Sequence, residues 1–212
     1  MNVHIYGPQF SNFVRSVQWV CEEKGIAYTL GFELDGKPVE FRGPEHSQWH
    51  PYNKVPVLIH NGCALGETSA ICRYLDDNFP GTTLTPVDPW QKAEVDAWCQ
   101  LLSIYIDKAV VRDYLLELVF PKGEDGKPRA DVLAAGKPAA IAALNIVAEK
   151  LASNRFLFGD QPTLADAIAA PIVCYATGLP AALSLVASES PLHDYAKRMM
   201  ASASGKKVFL VK

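Results

Sequence analysis

The sequence predicts a small α/β domain followed by a larger domain made only of helices. An apolar strand over residues 56–59 begins with a proline, and the turn pair Asn61-Gly62 folds it back on residues 63–65. Glu67-Thr68 then opens a helix, because an acid and a hydroxyl favour a helix N-terminus. After a stretch rich in proline at residues 80–89, apolar residues recur at helical spacing. Strand patterns are therefore confined to the N-terminal part of the chain.

The first elements alternate in type. Residues 4–6 form a short β-like run, and Gly7 begins a turn. Ser11 can cap a helix, which Gly25 ends because glycine tolerates the left-handed conformation. Apolar side chains alternate over residues 28–34, so a second strand follows.

The rest of the α/β domain is less regular. Residues 35–52 contain three prolines and predict irregular structure with at most a short helix. The Asn61-Gly62 pair favours a type I′ turn between two strands. Ile71, Leu75 and Phe79 mark the buried face of the helix that follows.

The predicted order is strand, helix, strand, loop, strand, strand, helix, which is that of a thioredoxin-like unit. We place this domain at residues 1–79, a linker at 80–89, and an all-helical domain at 90–212. The helical patterns of the second domain cover residues 90–120, 130–151 and the chain from 164 onward.

Composition excludes several classes of protein. The 20 basic and 23 acidic residues give a formal net charge of -3, which leaves no electrostatic footprint for nucleic acid or anionic lipid. The five cysteines are scattered and contain no Cys-x-x-Cys pair. This argues against a disulfide framework, a metal site and a thiol–disulfide motif, and it favours free thiols in a reducing cytoplasm.

One segment is long enough to be weighed as a membrane span. Residues 167–188 carry no charge over 22 positions. They are rich in alanine and are interrupted by proline and glycine, so we interpret them as two packed helices broken near residues 178–180. The N-terminus shows no signal-peptide pattern, and the sequence predicts a cytoplasmic protein that does not enter a membrane.

Ser11 lies at the junction of the first strand and the first helix, a position that favours an anion or a polarised thiol. The helix N-terminus offers unpaired backbone N–H groups and a partial positive charge. A hydroxyl there can donate a hydrogen bond to a cysteine sulfur, which favours the thiolate and lowers the thiol pKa. The alternative is an ordinary N-cap serine.

A second group of candidates surrounds the predicted hairpin. Pro56 has two possible roles: it only begins a strand, or it belongs to a site that uses the Val55 backbone. Glu67 and Thr68 likewise have two possible roles: they only cap the helix, or they bind a charged ligand at its N-terminus.

Together these motifs resemble the cytosolic glutathione S-transferase superfamily, in its bacterial-type, serine-class, phi/theta-like members. The resemblance rests on residues 6–12, residues 21–28, Val55-Pro56 and Glu67-Thr68. It implies that Ser11 activates the thiol of glutathione. A serine at this position, where related classes have cysteine, argues against thiol exchange of the glutaredoxin type.

The resemblance also implies how glutathione, a co-substrate, is held. A cis Val55-Pro56 bond would turn the Val55 backbone toward the peptide, which pairs with it as an added strand. Glu67 would face the γ-glutamyl ammonium, and Thr68 would hold the γ-glutamyl carboxylate. Arg42 and Lys54 would supply cations for the glycine carboxylate, although the family often has a basic pair where Phe41 and Arg42 stand.

His46 and His50, which lie close to these positions in sequence, are expected at the surface and not as ligands. In the second domain, residues 154–166 resemble a helix-capping segment of the same family. They predict a capping box in which Asp166 reaches back to Thr163, with a role in stability and not in catalysis. The resemblance thus extends from residue 1 to about residue 200.

The pocket for the second substrate is expected where the two domains meet. Its candidates are Phe10, Phe13, Tyr105, Arg112 and Leu115, although the positions on the helix also suit plain core packing. If Arg112 faces the cleft, it favours an anionic acceptor.

The resemblance implies an enzyme that conjugates glutathione to a small electrophile and forms a homodimer. Two alternatives stay open at this point. One is a binding protein that kept the fold without the chemistry. The other is a peroxidase, isomerase or dehalogenase that uses the same thiol.

Overall fold

The computed structural model describes residues 3–210, and it confirms an α/β domain followed by helices. The strands are β1 (Val3–Tyr6), β2 (Tyr28–Gly31), β3 (Glu33–Leu34), β4 (Lys37–Pro38), β5 (Val57–His60) and β6 (Cys63–Leu65). The helices of this domain are α1 (Asn12–Lys24), α2 (Pro44–Trp49) and α3 (Thr68–Asn78). The main sheet has the order β2-β1-β5-β6, with β1 parallel to β2 and antiparallel to β5.

The second strand is shorter than predicted. Alternation over residues 28–34 predicted one strand, but the structure ends β2 at Gly31 and folds β3 onto β4 as a separate hairpin. The cause is local, because Gly31 has φ 134° and the turn residues Asp35 and Gly36 have φ 51° and 76°. Such positive values break the pleat of a strand.

The hairpin between β5 and β6 matches the prediction. Asn61 and Gly62 have φ 52° and 78°, the two positive values that a type I′ turn requires. His60 pairs with Cys63 across the turn. Ile71 and Leu75 are fully buried on α3, as the apolar spacing predicted.

Helices make up the second half of the structure. They are α4 (Pro89–Leu101), a π-helical segment (Leu102–Leu115), α5 (Leu116–Val119), α6 (Ala130–Leu151), α7 (Leu164–Thr177), α8 (Leu192–Ala201) and α9 (Ala203–Val208). The stretch predicted at residues 90–120 is thus helical as far as Val119, but its middle is wider than an α-helix. The domain division at residues 1–79, 80–89 and 90–212 stays a prediction.

The π-helical segment has regularly spaced buried residues. Leu102, Ile106, Val110 and Tyr114 recur every four residues and are buried. On a helix of 3.6 residues per turn this spacing drifts around the axis. Hydrogen bonds from i to i+5 widen the turn, so the same spacing drifts in the opposite direction. Val111, Arg112 and Leu115 of this segment line a cavity between the two domains.

The uncharged stretch at residues 167–188 holds one packed helix and not two. Its residues from Ala167 to Val173 are buried on α7, which ends at Thr177. After Pro180 the chain forms only a 3-10 turn, Ala181–Leu183. By length and composition, one helix among the described residues could cross a membrane: Ala130–Leu151, with mean hydropathy 1.4. A single helix of this kind is weak evidence for a membrane span.

Two buried polar clusters hold the helices in place. The predicted capping box is present, and the buried carboxylate of Asp166 also accepts hydrogen bonds from Leu157 N–H and the Tyr195 hydroxyl, each at 3.0 Å. In the first domain, the Lys24 ammonium lies 3.1 Å from the Asp76 carboxylate, with both side chains 2% exposed. Asp76 also accepts from Leu84 N–H, which attaches α3 to the linker.

Candidate active site

A cavity of about 560 Å³ lies between the two domains. One wall is the turn that joins β1 to α1, and the opposite wall is the end of the π-helical segment together with α5. Most of its lining is apolar or aromatic. The lining includes Phe10, Ser11, Asn12, Phe13, Phe32, Phe41, Arg42, Asn53, Lys54, Val55, Arg112, Leu115, Phe120 and Tyr175.

Ser11 reaches this cavity from the N-terminus of α1. Gly7 has φ 147°, and a Cβ at that position would lie 2.7 Å from Val14 Cγ2 and 3.1 Å from Val55 Cβ. The glycine therefore lets the turn pass close to Val55. The Ser11 hydroxyl accepts from Val14 N–H at 3.5 Å, the limit for a hydrogen bond. The residue lines the cavity, where a hydroxyl proton can be donated to a bound ligand.

A second cavity of about 530 Å³ adjoins the first. Glu67 and Thr68, at the N-terminus of α3, line it together with Val55. Lys54 and Val55 line both cavities, as do Phe13 and Arg112, so the two spaces share a wall. The Val55-Pro56 peptide bond is cis, as the resemblance implied. The structure thus brings the predicted glutathione-binding residues to one cleft that Ser11 also faces.

Three residues that line the cleft have strained backbones. Arg42 and Glu67 both have φ 67°, and Asn53 has φ 50°. Asparagine tolerates this region, whereas arginine and glutamate seldom adopt it. Strain of this kind clusters at binding sites, where the surrounding structure maintains it. The strained backbone at these three residues therefore identifies the same cleft without reference to any sequence motif.

His46 is buried, so the expectation of a surface position was wrong. Arg42 N–H donates to its Nδ1 at 3.1 Å, and its Nε2 lies 3.0 Å from the Lys54 carbonyl oxygen. Since a carbonyl oxygen only accepts, Nε2 carries the proton. The ring connects the backbones of the two cationic residues assigned to glutathione.

His50 is also buried, against the same expectation. Tyr52 N–H donates to its Nδ1 at 3.1 Å, and its Nε2 lies 3.3 Å from Glu67 Oε1. The imidazole lies against Gly66, where a Cβ would approach within 2.7 Å of the ring. His50 thus supports the Glu67 carboxylate, which is itself exposed. The signal in the sequence was a second histidine four residues after His46, at the C-terminal end of the short helix α2.

The structure places four of the five residues predicted for the second-substrate pocket in the cavity. Phe10, Phe13, Arg112 and Leu115 line it, but Tyr105 does not, and its side chain is 65% exposed. In an α-helix, residues seven apart lie on one face, so Tyr105 would share the face of Arg112. The wider turn of the π-helical segment rotates Tyr105 away.

Asp107 is a residue of the site that sequence reasoning missed. Its carboxylate is buried and accepts from the Asn12 amide at 3.0 Å and from Arg112 Nε at 2.7 Å. Burial raises the pKa of Asp107, although the Arg112 charge and the Asn12 hydrogen bond lower it. An aspartate within the apolar repeat Asp107, Val111, Leu115 was the signal for this network.

Aromatic side chains form more of the cavity than we expected. The rings of Phe10 and Phe120 lie 5.8 Å apart and join the two domains at its edge. The Tyr175 hydroxyl donates to the Phe10 carbonyl oxygen at 2.6 Å. Phe32 and Phe41 contribute from the first domain. Phe41 stands where the family often has a cation, and this departure was the available signal.

Cysteine chemistry finds no support in the cleft. None of the five cysteines, all of which the structure describes, lines either cavity, and all are unpaired. Burial raises the pKa of Cys21, Cys99 and Cys174 to about 12, which keeps these thiols protonated. Within residues 3–210, no group of three or more His, Cys, Asp or Glu side chains is arranged to hold a metal ion.

A thioredoxin-like domain, a helical domain and a cleft with a hydroxyl at a helix N-terminus define a class of thiol-dependent transferases. Models of the N-terminal and C-terminal domains of glutathione S-transferase match residues 5–83 and 111–203. A probable glutathione S-transferase of Nicotiana tabacum is 31% identical over 178 residues, covering 84% of this chain and 72% of that protein. The chain belongs to the glutathione S-transferase family, whose co-substrate is glutathione.

Solved structures agree with this family. Poplar glutathione transferase F1 has a TM-score of 0.82 and 25% identity, covering 99% of this chain and 97% of that one. A theta-class enzyme from Xanthomonas axonopodis pv. citri, crystallised with glutathione bound, has a TM-score of 0.80 at 23% identity, covering 99% of this chain and 98% of that one. The second comparison shows the shared fold.

Proposed function

We propose that this chain conjugates the thiolate of glutathione to a small electrophile, as a serine-dependent, phi/theta-like member of its family. The observation that carries the proposal is that Ser11 and the residues predicted to hold glutathione face one cleft, beside an apolar cavity. The thiolate sulfur attacks an electrophilic carbon and forms a C–S bond. The leaving group departs with its electron pair, and the thiol proton goes to solvent.

Ser11 is the proposed activating residue. Its hydroxyl donates to the glutathione sulfur, and the positive end of α1 adds to the stabilisation of the anion. Both effects lower the thiol pKa, so more thiolate is present near neutral pH. The apolar walls of the cavity hold the electrophile beside the sulfur, which favours reaction through proximity.

The remaining cleft residues hold the tripeptide. The Val55 backbone pairs with its main chain, while Thr68 binds the γ-glutamyl carboxylate and Glu67 the ammonium group. Arg42 and Lys54 bind the glycine carboxylate, and the contacts of His46 keep their backbones in place. Each group of the peptide thus meets a side chain or backbone of opposite polarity.

Calorimetric titration with glutathione, followed by a turnover screen with several electrophiles, tests the proposal. Replacing Glu67 and Thr68 together with alanine is expected to weaken glutathione binding about tenfold or more, since a charge-assisted hydrogen bond contributes roughly 1.5–3 kcal/mol. The matched control is Glu149→Ala, an exposed position on α6. Unchanged affinity in the double variant contradicts the site. Binding without turnover by any electrophile identifies a binding protein instead.

We also propose a cytoplasmic homodimer. Trp90, Leu101, Ile104 and Tyr105, on α4 and the start of the π-helical segment, expose large apolar side chains, with Trp90 74% exposed. A second copy of the chain would cover them. Sedimentation should show twice the 23.2 kDa mass of one chain, and a monomer at micromolar concentration contradicts the dimer. The unpaired cysteines suit a reducing compartment.

A further inference from the structure

One cation in the cleft has no part in the proposed binding of glutathione. The charged residues that line the larger cavity are Arg42, Lys54 and Arg112, and among the described residues no carboxylate lines it. Arg42 and Lys54 lie on the first domain, where they are assigned to the glycine carboxylate. Arg112 lies on the second domain, among the apolar residues that surround the acceptor.

Arg112 is held from behind by a buried carboxylate. Its Nε donates to Asp107 Oδ2 at 2.7 Å, and the other oxygen of Asp107 accepts from the Asn12 amide at 3.0 Å. The Asp107 side chain is 1% exposed, whereas that of Arg112 is 47% exposed. Among residues 3–210, only the Nε of this guanidinium has a hydrogen-bond partner. Its two terminal amino groups therefore remain available to a ligand.

The surroundings of Arg112 suit an aromatic molecule. The guanidinium carbon lies 5.9 Å from the centre of the Phe13 ring, which keeps the side chain over an apolar surface. Leu115 lies beside it in the lining, and the rings of Phe10 and Phe120 form the edge of the same cavity. A flat apolar body can occupy this space while one end reaches the guanidinium.

We propose that Arg112 selects electrophiles that carry a carboxylate on an aromatic ring, with the carboxylate bound by its two terminal amino groups. The planar fork of arginine matches a carboxylate through paired hydrogen bonds. The Arg112 side chain is 47% exposed and so can be reached from the cavity, and the apolar walls beside it make the interaction stronger than in bulk water. Asp107 is the positioning residue, because it fixes the guanidinium before the substrate arrives. This inference rests on the proposed function.

The test uses two conjugates that differ by one group, S-(4-carboxybenzyl)glutathione and S-(4-carbamoylbenzyl)glutathione. Calorimetry on the full chain gives a Kd for each, together with that of glutathione itself. The wild type is expected to bind the carboxylate at least tenfold more tightly than the amide, as expected for a charge-assisted hydrogen bond. Arg112→Gln is expected to bring the ratio of the two Kd values close to one, and Arg112→Lys to give an intermediate ratio.

Arg155→Gln is the matched control, because Arg155 is exposed and lines neither cavity. It should keep the wild-type ratio. Loss of folded protein in Arg112→Gln lowers the binding stoichiometry and leaves the ratio of Kd values readable. A wild-type ratio near one, or the same preference in Arg112→Gln, overturns the inference. If neither glutathione nor its conjugates bind the wild type, the proposed function fails and this inference fails with it.

One further result overturns the assignment while the proposed function stands. Arg112 could act on the sulfur of glutathione and not on the acceptor. In that case Arg112→Gln raises the thiol pKa of bound glutathione and leaves the ratio of the two Kd values unchanged. The ultraviolet absorbance of the thiolate, followed against pH, separates this result from the expected one.

Discussion

Replacing Ser11 with alanine separates the two roles that its hydroxyl can have. As a helix cap it is weak, since its 3.5 Å bond to Val14 N–H is long beside the 2.9 Å caps of Asp88 and Ser202. As a donor to the glutathione sulfur it makes a charge-assisted hydrogen bond of roughly 1.5–3 kcal/mol. One pKa unit corresponds to about 1.36 kcal/mol, so Ser11→Ala should raise the thiol pKa by about one to two units.

The thiolate fraction near neutral pH, and with it the turnover, should therefore fall by roughly ten- to a hundredfold. Glutathione affinity should change little, because the hydroxyl distinguishes thiolate from thiol and does not hold the peptide. The ultraviolet absorbance of the bound thiolate against pH reports the pKa, and calorimetry reports the affinity. Both are measured on the same preparation.

Ser202→Ala is the matched control, since it removes a serine cap at 2.9 Å from Gly205 N–H that lies far from the cleft. It should reduce stability by about 1 kcal/mol and leave the thiolate titration unchanged. If Ser11→Ala changes neither the titration nor the rate, Ser11 is only a cap. Asn12 is then the nearest alternative, but its amide already donates to Asp107.

Three further predictions concern the framework of the site. His46→Phe should weaken glutathione binding by up to about tenfold in calorimetry, because it leaves a backbone N–H and a carbonyl of the cleft unpaired. His60→Phe, on the outer hairpin, is the control. Equal losses of glutathione affinity in the two variants would contradict the role of His46. Asp76→Ala should lower the free energy of unfolding in urea by about 3–5 kcal/mol, because it leaves the buried Lys24 charge without a counter-charge. The control is Asp96→Ala, which removes a more exposed carboxylate and should lower the same free energy by about 0–1 kcal/mol. A similar loss of stability in the two variants would refute the role of the buried pair. The hydrogen bonds from Arg129 lower the pKa of Glu117 from 4.5 to about 2. The stability due to this pair is complete above the unfolded pKa and is lost as the pH falls through that of the folded state. Thermal unfolding of Glu117→Gln should therefore differ from the wild type at pH 6 and converge with it at strongly acidic pH, whereas a constant difference would argue against the shift.

Local sequence signals predicted the parts of this fold that depend on local physics. The Asn61-Gly62 turn, the Ser11 cap and the capping box at Thr163 each require particular residue types at fixed spacing, and the structure has all three. The burial of a side chain is harder to predict from sequence, because it depends on partners that are distant in sequence. His46 and His50 look like ordinary surface residues until the loop carrying Arg42 and Lys54 folds around them.

The error at Tyr105 has a different origin. A helix of 3.6 residues per turn would place Tyr105 on the face of Arg112, and a π-helical segment changes which side chains share a face. Asp107 stands at helical spacing from Val111 and Leu115, but the sequence alone did not show that it is buried against Asn12. Arg112 was predicted to favour an anionic acceptor if it faces the cleft, but the sequence reasoning missed the buried carboxylate that orients it.

The strained backbone at Arg42 and Glu67 has a consequence for any attempt to make this protein more heat-resistant. A left-handed conformation costs a non-glycine residue about 1–2 kcal/mol, so glycine at either position would relieve strain. The same change would delete a side chain assigned to the charged ends of glutathione. A search that ranks variants by melting temperature alone would therefore favour loss of the binding site at these two positions. Thermostable variants should be chosen elsewhere, or screened for glutathione binding at the same time.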